Sequence, residues 1–240
     1  MENVGFIGLS AQMALARKLE TVANNIANAD TTGFKAQSVL FKEELAQADR
    51  KDKMSLVLDY GEYKNYTNGP IAQTGGTLDV ALEGTGFLAV KTADGEQYTR
   101  NGRMSINNNN QLVTSFGAAL LDQGGQPITL PVNSKDITIS QNGVISTAGG
   151  PLATLKIMRF DKPQTLEAQG NSLFKAAAGG GVADLETKVY QGAVEGSNVN
   201  SINETTQMID ISRRYQAMAR MLQTDSDQQS ETIRKLSRMN

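Results

Sequence analysis

The chain has 240 residues, enough for one full core with accessory segments or for two small domains. Its 23 basic and 25 acidic residues nearly cancel to a formal charge of −2, and no basic block is long enough to follow a phosphate backbone or an anionic bilayer, which argues against nucleic acid and membrane surfaces as partners. Cysteine and histidine are both absent, so disulfides, thiolate metal sites and cysteine nucleophiles are excluded and the commonest general base near neutral pH is missing. This composition lowers the prior for an enzyme, and no cofactor or metal is expected.

The amino end opens acidic, Met1-Glu2-Asn3, and its apolar residues are scattered along a period instead of forming one run, so no cleaved secretory signal is read there. The longest apolar runs, such as Phe87-Leu88-Ala89-Val90, fall far short of the ~20 residues that span a bilayer. Ile7, Ala11, Leu15, Leu19, Val22 and Ile26 recur at helical spacing and predict an amphipathic helix within residues 1–33. Asn24, Asn25 and Asn28 gather at its end, and Gly33 follows Asp30-Thr31-Thr32, which predicts a tight exit.

Residues 34–76 read as a connector with one short helix and one short hairpin. The charged stretch Asp49 to Lys53 and the polar run Tyr63 to Pro70 bracket Leu56-Val57-Leu58. From 77 to 190 the period changes to two, beginning with Leu78, Val80 and Leu82 on one face and Asp79, Ala81 and Glu83 on the other. Turn signals then recur at Gly84-Thr85-Gly86, Asp94-Gly95, Asn107 to Asn110, Gly124-Gly125, Asn142-Gly143 and Gly149-Gly150, so a central antiparallel β-rich domain is expected. Asp94-Gly95 and Asn142-Gly143 are the best hairpin candidates.

Residues 191–240 return to helix. Met208, Ile211, Tyr215, Met218 and Leu222 step by three and four in alternation, the seam of a coiled coil, while Asp225 and Gln229 interrupt the same register and Ile233 and Leu236 form a weaker patch. The expected fold class is therefore α+β: terminal α-helices forming a coiled-coil-like axial domain, with the β-rich domain between them. A narrow apolar stripe cannot hold a helix folded alone. Each terminal helix needs a partner, and the other terminus is the nearest one. A helical pair would leave apolar surface for neighbouring copies; the alternative is an intramolecular two-helix hairpin that caps the β domain. The expected subunit-interface residues are those two stripes together with Asn25, whose amide both donates and accepts and so either bonds across subunits or stops the helix within the chain.

The segment Val22-Ala23-Asn24-Asn25-Ile26-Ala27-Asn28-Ala29-Asp30-Thr31-Thr32-Gly33-Phe34-Lys35 resembles the N-terminal signature of the flagellar rod and hook axial proteins. The similarity continues at Leu78 to Phe87, at Tyr98 to Ser105 and at Glu195-Gly196-Ser197-Asn198-Val199. The opening Ile7 to Leu15 is similar to the proximal-rod branch more than to the distal-rod branch. Two positions depart from the usual pattern: Phe87-Leu88 stands for an aromatic pair, and Arg103-Met104 stands where an aromatic often follows the basic residue. The resemblance implies a subunit of the periplasmic rod of the flagellar basal body, polymerised with other rod proteins and with copies of itself into a hollow torque-transmitting shaft. It also implies delivery by the flagellar type III export apparatus, without a cleaved signal. A distal-rod or hook role is the alternative within the family.

Other motifs have plainer readings. Gly84-Thr85-Gly86 lacks the lysine and the third glycine of phosphate-binding loops and reads as a strand turn. Asp79 with Glu83, or Asp136 with Asp161, supply the carboxylates that a cell-wall carbohydrate-active enzyme would need, with nothing in the sequence to set their separation. Met208, Met218 and Met221 offer adaptable apolar contacts, and Arg213, Arg214 and Arg220 fall on the polar side of the last helix.

Overall fold

Alanine and other good helix formers dominate the amino end, and the first element, α1, runs over Glu2–Ala27. The computed structural model describes residues 2–49, 52–132, 136–176 and 181–237, with backbone alone for 2–4, 43–49, 52–60 and 236. Arg50 and Lys51 of the charged stretch, and the side chains of Leu56-Val57-Leu58 and Leu236, lie outside what is described. The chain divides into two compact units, one of residues 1–27, 37–64 and 200–240, the other of residues 28–36 and 65–199.

The first unit holds both terminal helices. The last helix, α2, covers Ser201–Ser237 and starts where the Asn200 side-chain oxygen accepts a hydrogen bond from the Asn203 amide at 3.1 Å, a cap for a donor the first turn leaves free. The helices run antiparallel: Gly8 of α1 lies against Leu222 of α2, and Asn25 bonds Glu204. A Cβ on Gly8 would stand 2.6 Å from Leu222 Cδ2, so the glycine lets the helices approach closely.

No helix forms among the described residues of the expected connector. Instead β1 (Gln37–Asp49) and β2 (Asp52–Lys64) make one long antiparallel hairpin, in register from Gln37↔Lys64 to Asp49↔Asp52. The step from Leu40↔Gly61 to Phe41↔Asp59 marks a bulge in β2 at Tyr60-Gly61, and the Gly61 φ of +131° suits it to glycine. Arg17 of α1 ties to Glu62 of β2 at 2.6 Å. The period-two signal is masked by Lys42-Glu43-Glu44, three charges in succession where a half-buried strand would alternate apolar and polar residues.

The second unit is the β-rich body. Its strands are β3 (Ile71–Gln73), β4 (Val80–Glu83), β5 (Phe87–Thr92), β6 (Gly95–Thr99), β7 (Met104–Ile106), β8 (Leu112–Thr114), β9 (Ala119–Leu120), β10 (Thr138–Ile139), β11 (Val144–Thr147), β12 (Gly150–Thr154), β13 (Ile157–Arg159), β14 (Glu167–Gly170), β15 (Leu173–Lys175), β16 (Val182–Ala183), β17 (Lys188–Gln191) and β18 (Ala193–Glu195). Every named pairing is antiparallel. The largest sheet follows the order β14-β15-β6-β5-β9-β8-β7, with β13 also on β5; β10-β11-β12 form a second sheet, and β17-β4 and β18-β3 pair separately. Both candidate hairpins form, β5-β6 at Asp94-Gly95 and β10-β11 at Asn142-Gly143.

Two clusters fill the body. Val80, Leu82, Leu88, Leu112, Leu120 and Ile145 lie in the aliphatic one; Phe87, Tyr98, Phe160 and Phe174 pack edge to face in the other. Leu88 and Met104, the two departures from the family pattern, are both buried among aliphatic neighbours. Ala81 does not face outward with Asp79 and Glu83 as the period-two reading expects. It is buried like Val80 and Leu82, because β4 is covered on both faces.

Candidate functional site

The first unit brings the two predicted stripes together. On α1, Val22 and Asn25 are buried, Ala11, Leu15, Leu19 and Ile26 are half-buried, and Ile7 is 40 % exposed. On α2, Ile211 is buried, Met208, Met218 and Leu222 are half-buried, and Tyr215 sits at the exposed margin. Half-burial continues past the apolar seam at Asp225 and Gln229, where the Gln229 amide donates to the Asp225 carboxylate at 2.9 Å. Polar side chains therefore carry on the spacing of 218 and 222.

Asn25 spends its amide within the chain. Its Nδ2 donates to the Gln37 carbonyl at 2.8 Å and to Glu204 at 3.3 Å, and its Oδ1 accepts from the Gln37 amide at 2.9 Å. One buried side chain thus ties α1 to the start of β1 and to the first turn of α2. We expect Asn25→Leu to leave both Gln37 backbone groups unpaired and to destabilise this unit by about 2 kcal/mol or more. Urea unfolding followed by helical circular dichroism measures that loss.

Sequence reasoning missed a second apolar stripe. Phe6, Leu9 and Met13 are 59, 49 and 65 % exposed and fall, by the helical period, on the side of α1 opposite Ala11 and Leu15. The amino half of α1 is therefore apolar on two faces, a pattern of helices that are buried all round. Reading the helix for one stripe hid the other.

The second unit holds a buried charge cluster, also missed. Glu195 is completely buried at the end of β18, and its Oε1 accepts from Lys35 Nζ at 2.7 Å and from the Gly69 amide at 3.0 Å. Its Oε2 pairs with Arg100 Nε at 3.4 Å, an ion pair without hydrogen-bond geometry. Arg100 also donates to the carbonyls of Gly84 and Gly86 and to Asn68, and lies over the Phe87 ring at 5.4 Å. The Gly84-Thr85-Gly86 turn is thus a collar of carbonyls around a guanidinium, the opposite polarity from a phosphate cradle.

Lys35 also donates to the Thr67 carbonyl at 2.8 Å. Burial pulls the Lys35 ammonium below its ordinary range against the opposing pull of Glu195, and burial acts on Arg100 in the same direction. Nearby, Asn198 accepts from the Ala36 amide at 2.7 Å and donates to the Asn65 and Thr67 carbonyls. Gly33, at φ +69°, bonds the Glu195 carbonyl, and a Cβ there would stand 2.5 Å from the Arg100 backbone. Three of the four segments that carried the family resemblance supply Lys35, Arg100 and Glu195, and the fourth joins them through the carbonyls of Gly84 and Gly86 on Arg100. A charged residue inside each glycine-bearing segment was the available signal.

The carboxylates considered for catalysis are engaged in local structure or exposed. Thr74 donates to Asp79 at 2.6 Å and Tyr190 to Glu83 at 2.7 Å, while Asp136 and Asp161 are exposed.

Comparison with known proteins gives three family matches along the chain. Residues 7–35 match the family described as flagella basal body rod protein, 81–147 the D1 domain of the flagellar hook protein FlgE/F/G family, and 190–235 the C-terminal region of the flagellar basal body rod FlgEFG proteins. The flagellar basal-body rod protein FlgF of Caulobacter vibrioides is 35 % identical over the full length of both chains. The chain belongs to the flagellar rod and hook axial family. FlgF of Rhizobium meliloti is 34 % identical, with 98 % of each chain covered. FlgG of Buchnera aphidicola from Acyrthosiphon pisum is 31 % identical, with 95 % of this chain and 96 % of the relative covered. Within the axial family the likeness is thus greater to FlgF. Among the described residues no helix is long and apolar enough to cross a membrane.

Proposed function

We propose that the chain is a structural subunit of the flagellar basal-body rod, in its proximal part, and that its role is mechanical. The antiparallel pair of α1 and α2 forms the coiled-coil-like axial element through which copies of the chain and sibling rod proteins polymerise into a hollow shaft. The observation that carries this reading is the two-faced apolar character of α1: one face meets α2 and the other, at Phe6, Leu9 and Met13, is left to solvent in the single chain. Full-length likeness to FlgF proteins favours the proximal position over the distal one. Passage through the type III export apparatus without a cleaved signal completes the reading, and no chemistry is asked of the protein.

Deletion of the gene should abolish motility and leave basal bodies without a complete rod, and a tagged copy should restore both and be recovered in purified basal bodies. Motile deletion cells with complete rods would sink the reading.

A further inference from the structure

We infer that Asn142 is the position at which the folded chain deamidates, through a cyclic imide formed with Gly143, and that the fold protects the two other Asn-Gly pairs. The sequence holds three such pairs, Asn68-Gly69, Asn101-Gly102 and Asn142-Gly143. Asparagine before glycine is the pair most open to this reaction, because no Cβ hinders the glycine nitrogen. That nitrogen attacks the asparagine Cγ, the new C–N bond forms as the bond to the side-chain nitrogen breaks, and the amide proton leaves with ammonia. Water then opens the imide at either carbonyl to give aspartate or isoaspartate.

Ring closure needs a carboxamide free to turn onto the glycine nitrogen. At two of the pairs it is held. Asn68 Oδ1 accepts from Arg100 and the Gly69 amide donates to buried Glu195 at 3.0 Å, so both reacting groups are anchored on the charge cluster. Asn101 is 4 % exposed; its Nδ2 donates to Ser115 at 3.3 Å and its Oδ1 accepts from the Arg103 amide at 3.0 Å. Asn142, by contrast, is exposed, and its side chain makes no hydrogen bond among the described residues.

The three glycines are also required for different reasons. A Cβ at Gly69 would stand 2.1 Å from the Gly196 carbonyl oxygen and one at Gly102 1.8 Å from that of Val80, so packing demands both. At Gly143 the nearest atom would be 3.5 Å away, and the demand comes from the turn, at φ +76°. The Gly143 amide donates to the Ser140 carbonyl at 2.9 Å, and the Ser140 hydroxyl accepts from the Val144 amide at 3.2 Å. Attack at Asn142 therefore runs through brief opening of an exposed turn, whereas the other two pairs must first give up charge-assisted or buried hydrogen bonds. Isoaspartate carries the main chain through one added methylene. The carbonyls beside it, of Gln141 and Gly143, accept from the Val189 and Leu155 amides, so the modification loosens the β10-β11 hairpin from the core while adding a negative charge.

The purified full-length chain, held for weeks at mildly alkaline pH and followed by peptide mass mapping, tests this, with isoaspartate told from aspartate by isoaspartyl methyltransferase labelling. Modification is expected at Asn142 roughly tenfold or more faster than at Asn68 or Asn101, the factor that one retained charge-assisted hydrogen bond supplies. In urea the three pairs should react at similar rates. Ser140→Ala, which frees the Val144 amide and weakens the turn, should speed the reaction at Asn142 about threefold or more. Asn142→Gln should stop it there, because the longer side chain disfavours the ring. Equal rates at the three pairs in the folded chain, or an Asn142 that stays intact while the urea sample reacts, would overturn the assignment. A Ser140→Ala chain that reacts no faster would overturn the turn as the gate.

Discussion

Glu195→Gln should lower the stability of the β-rich body by about 3–5 kcal/mol, since it strips the carboxylate that faces two buried cations and leaves Lys35 and Arg100 without that counter-charge. At about 2–4 °C per kcal/mol for a unit of this size, the thermal transition should fall by roughly 10 °C. Near-ultraviolet dichroism reports it through Tyr66 and Tyr98, which sit in the aromatic cluster beside Arg100. The side-chain amide introduced by this substitution can still accept from the Gly69 N–H, so the loss isolates the charge. Lys35→Met combined with Glu195→Gln should cost clearly less than the two singly, because each single change strands a charge that the pair removes. A transition within about 1 °C of the parent would show that the carboxylate charge is not what holds the cluster.

Ile211→Asp should open the helix pair. Ile211 is the most deeply buried side chain of the α2 seam, at 3 % exposure. Removing it forfeits about 2–5 kcal/mol of core packing before the added cost of placing a carboxylate there. Helices held by a narrow seam have little stability in reserve. The expected result is loss of much of the far-ultraviolet helical signal with the tyrosine transition of the body retained, together with a chain that no longer enters basal bodies. Motile cells carrying Ile211→Asp would contradict the place given to α2.

The sequence made the helices and hairpins legible where one signal dominated. Steps of three and four from Ile7 to Ile26 and from Met208 to Leu222 mark helices because side chains on one face must recur at the helical period. Asp94-Gly95 and Asn142-Gly143 mark hairpins because glycine tolerates the positive φ seen at Gly95 and Gly143. The long β1-β2 hairpin was illegible because its charged residues mimic a solvated linker. The Glu195 cluster was illegible for another reason: Lys35, Arg100 and Glu195 lie 65 and 95 residues apart in sequence, and burial of a charge is defined only by what the fold brings around it. Asn25 was legible as a helix end, but its bond to Glu204 required knowing that the helices run antiparallel.

The distance along the chain from Lys35 to Glu195 has a consequence for the order in which the protein matures. Contacts between remote residues are made late, since the intervening loop must first be closed. A polypeptide arriving amino end first presents Lys35 and Arg100 long before their shared anion. Until residue 195 is in place the body lacks its locking charge, so completion of the fold waits on nearly the whole polypeptide having arrived.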